Sequence, residues 1–88
     1  MNNKILCVDD EESILKGLQL NLRNKFELHL ASDGQEGLEL FQKEGGFAVV
    51  LSDMRMPRMN GAEMLSNIKK IDEEVVTVLL TGHTDFES

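Results

Sequence analysis

The residues with the most chemistry to offer stand where short apolar runs end. Asp9-Asp10 follow residues 5–8, Ser52-Asp53 follow residues 47–51, and Thr81-Gly82 follow residues 75–80. Carboxylates brought within a few ångströms of one another raise each other's pKa unless a cation neutralises them. A hard divalent ion suits such a set, because magnesium takes oxygen ligands, keeps several waters and is usually held by one or two carboxylates plus a phosphate oxygen. Beside such an ion a carboxylate can attack phosphorus and become an acyl phosphate. The pattern points to metal-assisted phosphoryl chemistry, provided the three run ends meet in space.

They meet if the runs are parallel strands of one sheet, since every strand then ends on the same edge and ligands bind outside those carboxyl ends. Residues 5–8, 47–51 and 75–80 are nearly continuous aliphatic stretches, as expected for strands covered on both faces. Residues 26–31 alternate Glu27 and His29 with Leu28 and Leu30, which suits a wetter edge strand. Between them the apolar period becomes helical: Ile14, Leu15, Leu18 and Leu22, then Leu38 and Phe41, then Met64, Leu65, Ile68 and Ile71. Asp33 precedes Glu36 by three and Asn60 precedes Glu63 by three, both capping-box spacings, and Lys69 and Lys70 suit the negative end of the third helix. Strands and helices that alternate over such short connections require a parallel sheet with right-handed crossovers.

A chain of 88 residues, 41% hydrophobic and 28% charged, makes one domain with a small core. Sixteen acidic against nine basic residues, a net charge of -7, is the wrong sign for following a phosphate backbone, so no direct nucleic acid contact is expected. Cys7 has no second cysteine to pair with and lies in an apolar run, where a reduced buried thiol is the ordinary outcome. The apolar stretch before Asp9 is too short for a signal peptide or a membrane span. A cytoplasmic location without membrane association is the expectation.

Each residue also has a plainer reading. An Asp at a strand end is ordinarily a turn or cap residue, and Asp9 and Asp10 are placed to cap the first helix, whose dipole Glu11 and Glu12 complement. Thr81 alone says almost nothing. Met54, Met56, Met59 and Met64 read as packing and loop residues, since thioethers select soft metals and neither cysteine nor histidine clusters with them. Cys7 and His29 read as core and edge-strand residues. Oxygen groups at three strand ends at once favour the chemical reading.

These stretches resemble a family. Ile5-Leu6-Cys7-Val8-Asp9-Asp10-Glu11, Leu51-Ser52-Asp53-Met54-Arg55-Met56-Pro57-Arg58-Met59-Asn60-Gly61 and Val78-Leu79-Leu80-Thr81-Gly82-His83 look like the receiver domain of two-component response regulators. The resemblance covers the whole chain, 1–88, and implies an α/β, flavodoxin-like doubly wound parallel sheet in the order 2-1-3-4. It implies that Asp53 accepts a phosphoryl group from a histidine kinase. Mg2+ would be bound by Asp10, Asp53 and the backbone carbonyl of Arg55, with Asp9 supporting the ion through water. Thr81 would hydrogen-bond the phosphoryl group and draw the following loop inward. Pro57 and Gly61 would shape the loop after Asp53, with Gly61 allowing a close or left-handed turn, and Arg55 and His83 would tune the lifetime of the phosphoryl group. Such a domain is a phosphoacceptor that switches an output or partner rather than an enzyme.

The family pattern continues beyond this chain. Relative to it, the fifth strand, the last two helices, a lysine that pairs with the phosphoryl group and an aromatic switch residue are lacking, and the fourth helix only begins at residues 84–88. The chain reads as a truncated receiver, with two expected consequences. Residues 75–80 become a bare edge strand that forms a homodimer, by edge pairing or by exchange of elements, detectable by sedimentation. Phosphorylation is weak without the lysine. Two rivals are set against this reading. An aspartyl-nucleophile, magnesium-dependent phosphatase would carry a second Asp where Arg55 stands. A phosphorylation-independent pseudo-receiver would not need Asp9, Asp10, Asp53 and Thr81 together. A dinucleotide or flavin site lacks its Gly-rich loop.

Overall fold

The first strand, β1 (Lys4–Val8), is divided between two cores, and this division sets the layers of the molecule. Ile5 and Cys7 pack with Leu15 on one face, while Leu6 and Val8 pack with Phe41, Val50, Met64 and Ile68 on the other. A strand covered on both faces has no wet side to alternate toward, which is why it reads as an unbroken apolar run. The computed structural model describes residues 2–56 and 58–80. After β1 come α1 (Glu12–Leu22), β2 (Glu27–Ala31), α2 (Gly34–Glu44), β3 (Val49–Asp53), α3 (Gly61–Ile71) and β4 (Val76–Leu80). Every strand pair is parallel, as the alternating pattern requires, and the order is β2-β1-β3-β4, the flavodoxin-like arrangement that the family resemblance implies. α1 covers the Cys7 face; α2 and α3 cover the Leu6 face. Thr81, Gly82, His83, the helix expected to begin at 84–88, and Pro57 lie outside the described residues.

Capping chemistry starts two of the helices where the sequence places them. Asp33 accepts the Glu36 N–H at 2.8 Å while the Glu36 carboxylate accepts the Ser32 N–H at 2.8 Å, and Asn60 accepts the Glu63 N–H at 2.8 Å. In α1 the cap position is Glu11, which makes no side-chain cap bond; instead Asp9, two residues earlier, accepts the Glu11 N–H at 2.9 Å. At the exit of α3 the Lys69 ammonium donates to the carbonyls of Glu73 and Val75 at 3.0 and 2.6 Å, which fixes the chain as it enters β4.

Two expectations shift. The third strand runs over Val49–Asp53 rather than 47–51, because Phe47 is drawn off the ladder to stack on Phe41, ring centroids 5.7 Å apart, while Ser52 and Asp53 stay paired with Val8 and Leu80. Ile14 and Ile71 are exposed rather than on the buried helix faces. Ile14 is turned ~100° from Leu15, which holds the core position, and Ile71 is the last residue of α3. Cys7 is fully buried, and that burial pushes its thiol up to about 11, so it stays protonated and unreactive at neutral pH. Outer strand β4 leaves Val76 55% and Leu80 40% exposed. Among the described residues no helix is long and apolar enough to cross a membrane.

Candidate functional site

Parallel pairing aligns Val8 with Ser52 and Asp53 with Leu80, so the residues that follow β1 emerge beside the last residue of β3. The chain leaves β1 toward β2 on one side, and β3 lies on the other. The crevice opened by that reversal is where doubly wound sheets bind ligands. Asp9, Asp10 and Asp53 stand at its rim, and one carboxylate oxygen from each lies within 4.8 Å of the others. Asp9 is buried, Asp53 half-buried and Asp10 exposed, so the cluster runs from the sheet edge out to solvent. Beside it opens a cavity of about 570 Å³ lined by Asp10, Met54, Arg55, Met56 and Asn60.

The backbone that carries Asp53 is fixed from both sides. Ser52 is fully buried, and its hydroxyl donates to the Asp53 carbonyl at 2.9 Å, which satisfies a polar group shielded from water near the end of β3. Gly61 presses on the same carbonyl: a Cβ there would stand 2.1 Å from it. The Gly61 N–H donates to the Met54 carbonyl at 3.0 Å and closes the base of the loop 54–60. Gly61 is therefore required for a close approach. Among the described residues of this loop, Arg58 is the left-handed one, at φ 68°.

Three of the residues expected to act at the site, Asp9, Asp10 and Asp53, come together as anticipated, and Arg55 lines the adjoining cavity. Thr81 lies outside the described residues. Ser52 follows an apolar run beside Asp53, and nothing in the sequence signals that its hydroxyl supports the Asp53 carbonyl. The pairing of Arg58 with Asp33 had no signal in the sequence.

Burial pushes the Asp9 carboxyl above its ordinary value. The charges of Asp53, Asp10 and Glu11 add to that rise, and the Glu11 N–H opposes it. A raised folded-state pKa means that the ion-free fold holds this proton more tightly than the unfolded chain does. Ionised Asp9 therefore penalises the fold above that pKa, and the penalty vanishes below the unfolded value. Asp9→Asn, which keeps an oxygen to accept the Glu11 N–H, is expected to raise Tm in EDTA at neutral pH by about 3–5 °C. The gain over the unsubstituted chain should shrink as pH falls through the Asp9 pKa. A Tm lowered equally at every pH, measured by circular dichroism, would contradict this origin.

Comparison with known proteins gives the same answer. The model of the response regulator receiver domain matches residues 5–88. The transcriptional regulatory protein SrrA of Staphylococcus aureus is 38% identical over 80 residues, covering 90% of this chain and 33% of that protein. The chain thus spans about a third of the length of the curated relatives it matches. Among solved structures, a response regulator receiver domain protein from Clostridium thermocellum superposes with a TM-score of 0.86 at 38% identity, covering 96% of this chain and 68% of that one. The CheX-CheY-BeF3-Mg2+ complex from Borrelia burgdorferi superposes with a TM-score of 0.82 at 26% identity, covering 96% and 65%. With an acidic rim on a 2-1-3-4 parallel sheet and a family match that runs nearly from end to end, this chain belongs to the receiver domains of two-component response regulators.

Proposed function

We propose that residues 1–88 are the greater part of a phosphoacceptor receiver, in which Asp53 takes a phosphoryl group from a histidine kinase with the help of Mg2+. The observation that carries this reading is the gathering of three carboxylate oxygens within 4.8 Å. The donor set fits the ion. It is all oxygen, among the described residues none of its three carboxylates is in a salt bridge, and it is open to water on the Asp10 side. Asp10, Asp53 and the Arg55 carbonyl would hold the ion directly, and Asp9 through water. Mg2+ bound there would neutralise the crowded carboxylates and draw charge from the phosphoryl oxygens.

The chain's own residues supply the rest. An Asp53 carboxylate oxygen forms a bond to phosphorus as the bond from phosphorus to the donor's imidazole nitrogen breaks, and the electron pair leaves with that nitrogen. Ser52 and Gly61 keep the Asp53 backbone from retreating during the attack. Asp9 holds the turn into α1 through the Glu11 N–H. Thr81 is the residue we assign to the phosphoryl oxygen once it is in place. The relatives are transcriptional regulators by name and extend well past the matched segment, which supports an output unit as the receiver's target. Among the described residues β4 is an outer strand of the sheet, and its outer edge is where a second copy would add.

Incubation with Mg2+ and a small acyl phosphate, followed by intact-mass measurement, tests the reading. One added phosphoryl group per chain, absent without Mg2+, is expected. Turnover of many phosphate esters with release of inorganic phosphate would favour a phosphatase, and an unchanged mass would favour an interaction module that works without phosphorylation.

A further inference from the structure

The loop 54–60 is anchored at its crest as well as at its base, and the phosphoryl chemistry makes no use of the crest anchor. There the Arg58 guanidinium pairs with the carboxylate of Asp33, a residue 25 positions earlier at the start of α2. The Asp33 carboxylate serves two elements at once: Oδ1 caps α2 by accepting the Glu36 N–H at 2.8 Å, and Oδ2 accepts from Arg58. Backbone contact reinforces the join. A Cβ on Gly34 would stand 2.4 Å from the Met59 carbonyl, so loop and helix start touch only because residue 34 has no side chain.

The conformation of Arg58 is the second observation. Its φ of 68° lies in the left-handed region, where glycine or asparagine is comfortable and other residues are uncommon. An arginine held there, with its charged end on the cap of another helix, is a strained residue kept in place by a specific contact.

We propose that Asp33 and Arg58 form a positioning couple that holds the loop 54–60 in the shape presenting the Arg55 carbonyl to the ion among Asp9, Asp10 and Asp53. The proposal rests on the ion-binding reading above. Arg55 lies between the base anchor at Gly61 and Met54 and the crest anchor at Arg58. With the crest released, Arg55 and Met56 gain conformational freedom that ion binding must then remove, and affinity falls. Met56 and Met59 still pack against the main core, so the loop loosens rather than unfolds. The pair is partly solvent-exposed, with the Arg58 side chain 66% accessible, which bounds the effect to about three- to fivefold in Mg2+ affinity. By reciprocity, the ion firms the start of α2 through the same couple.

The test compares the unsubstituted chain with Arg58→Asn, Asp33→Ser and the double variant. Asparagine tolerates the left-handed conformation, and serine keeps a capping oxygen for α2. Calorimetric titration with Mg2+ should show each single variant binding about three- to fivefold more weakly and the double variant no worse than either single. Arg58→Asn should melt in EDTA at the same temperature or higher, and Mg2+ should slow exchange of the Glu36 amide in the unsubstituted chain but not in Arg58→Asn. Unchanged affinity in Arg58→Asn, or losses that multiply in the double variant, would overturn the couple and leave the ion site standing. An unsubstituted chain that takes up no Mg2+ would overturn both.

Discussion

Asp53→Asn is expected to abolish phosphoryl uptake from an acyl phosphate, slowing it by on the order of 10³-fold or more, while the protein stays folded. The substitution replaces an anionic oxygen with a neutral amide, so the group that bonds to phosphorus is gone, and the ion loses a ligand as well. Stability should move the other way. The Asp53 charge is among the causes that raise the Asp9 carboxyl, and removing it relieves a cluster of like charges. In EDTA the variant should therefore melt no lower than the unsubstituted chain. Intact mass after incubation with Mg2+ and acyl phosphate, read beside a thermal melt, separates lost chemistry from lost structure. A variant that still gained a phosphoryl group would remove Asp53 from the acceptor role.

Gly61→Ala carries the largest expected structural effect. The new methyl would lie 2.1 Å from the Asp53 carbonyl oxygen, 2.9 Å from its carbon and 2.9 Å from Leu79 Cδ1. The leucine tip can turn aside. The carbonyl cannot, because Asp53 is paired with Leu80 in the ladder and its carbonyl also accepts the Ser52 hydroxyl. Either the start of α3 or the end of β3 must move, at about 3 kcal/mol, a large fraction of the stability of so small a domain. Tm should fall by about 10 °C or more, and any folded remainder should bind Mg2+ poorly because the Asp53 carboxylate has been displaced. Gly17→Ala is the control. It lies inside α1 with nothing within 4 Å of the added carbon, and should stabilise by about 0.5–1 kcal/mol. If both substitutions lowered Tm alike, the close approach of Gly61 to Asp53 would not be what matters.

The fold was legible because each strand and helix announces itself locally. Continuous aliphatic runs, a helical apolar period and two capping boxes fix four strands and three helices, and short alternating connections leave a parallel sheet as the solution. The acidic rim follows from that, since in a parallel sheet a residue's distance from a strand end fixes its height at the edge. What depends on three-dimensional fit was not legible. Phe47 leaves the third strand because Phe41 offers a ring to stack on, and nothing within residues 47–51 records that. Gly61 could have served a left-handed turn or a close approach, and only the position of the Asp53 carbonyl decides for the latter. Arg58 and Asp33 are surface charges far apart in the chain, without periodicity to link them.

Whether the three carboxylates hold one Mg2+ ion is tested by calorimetric titration of the unsubstituted chain and of a chain with Asp9, Asp10 and Asp53 all changed to Asn. The expected result is one saturable Mg2+ site per chain, lost entirely in the triple variant. Absence of binding to the unsubstituted chain, or equal binding by both, would contradict it.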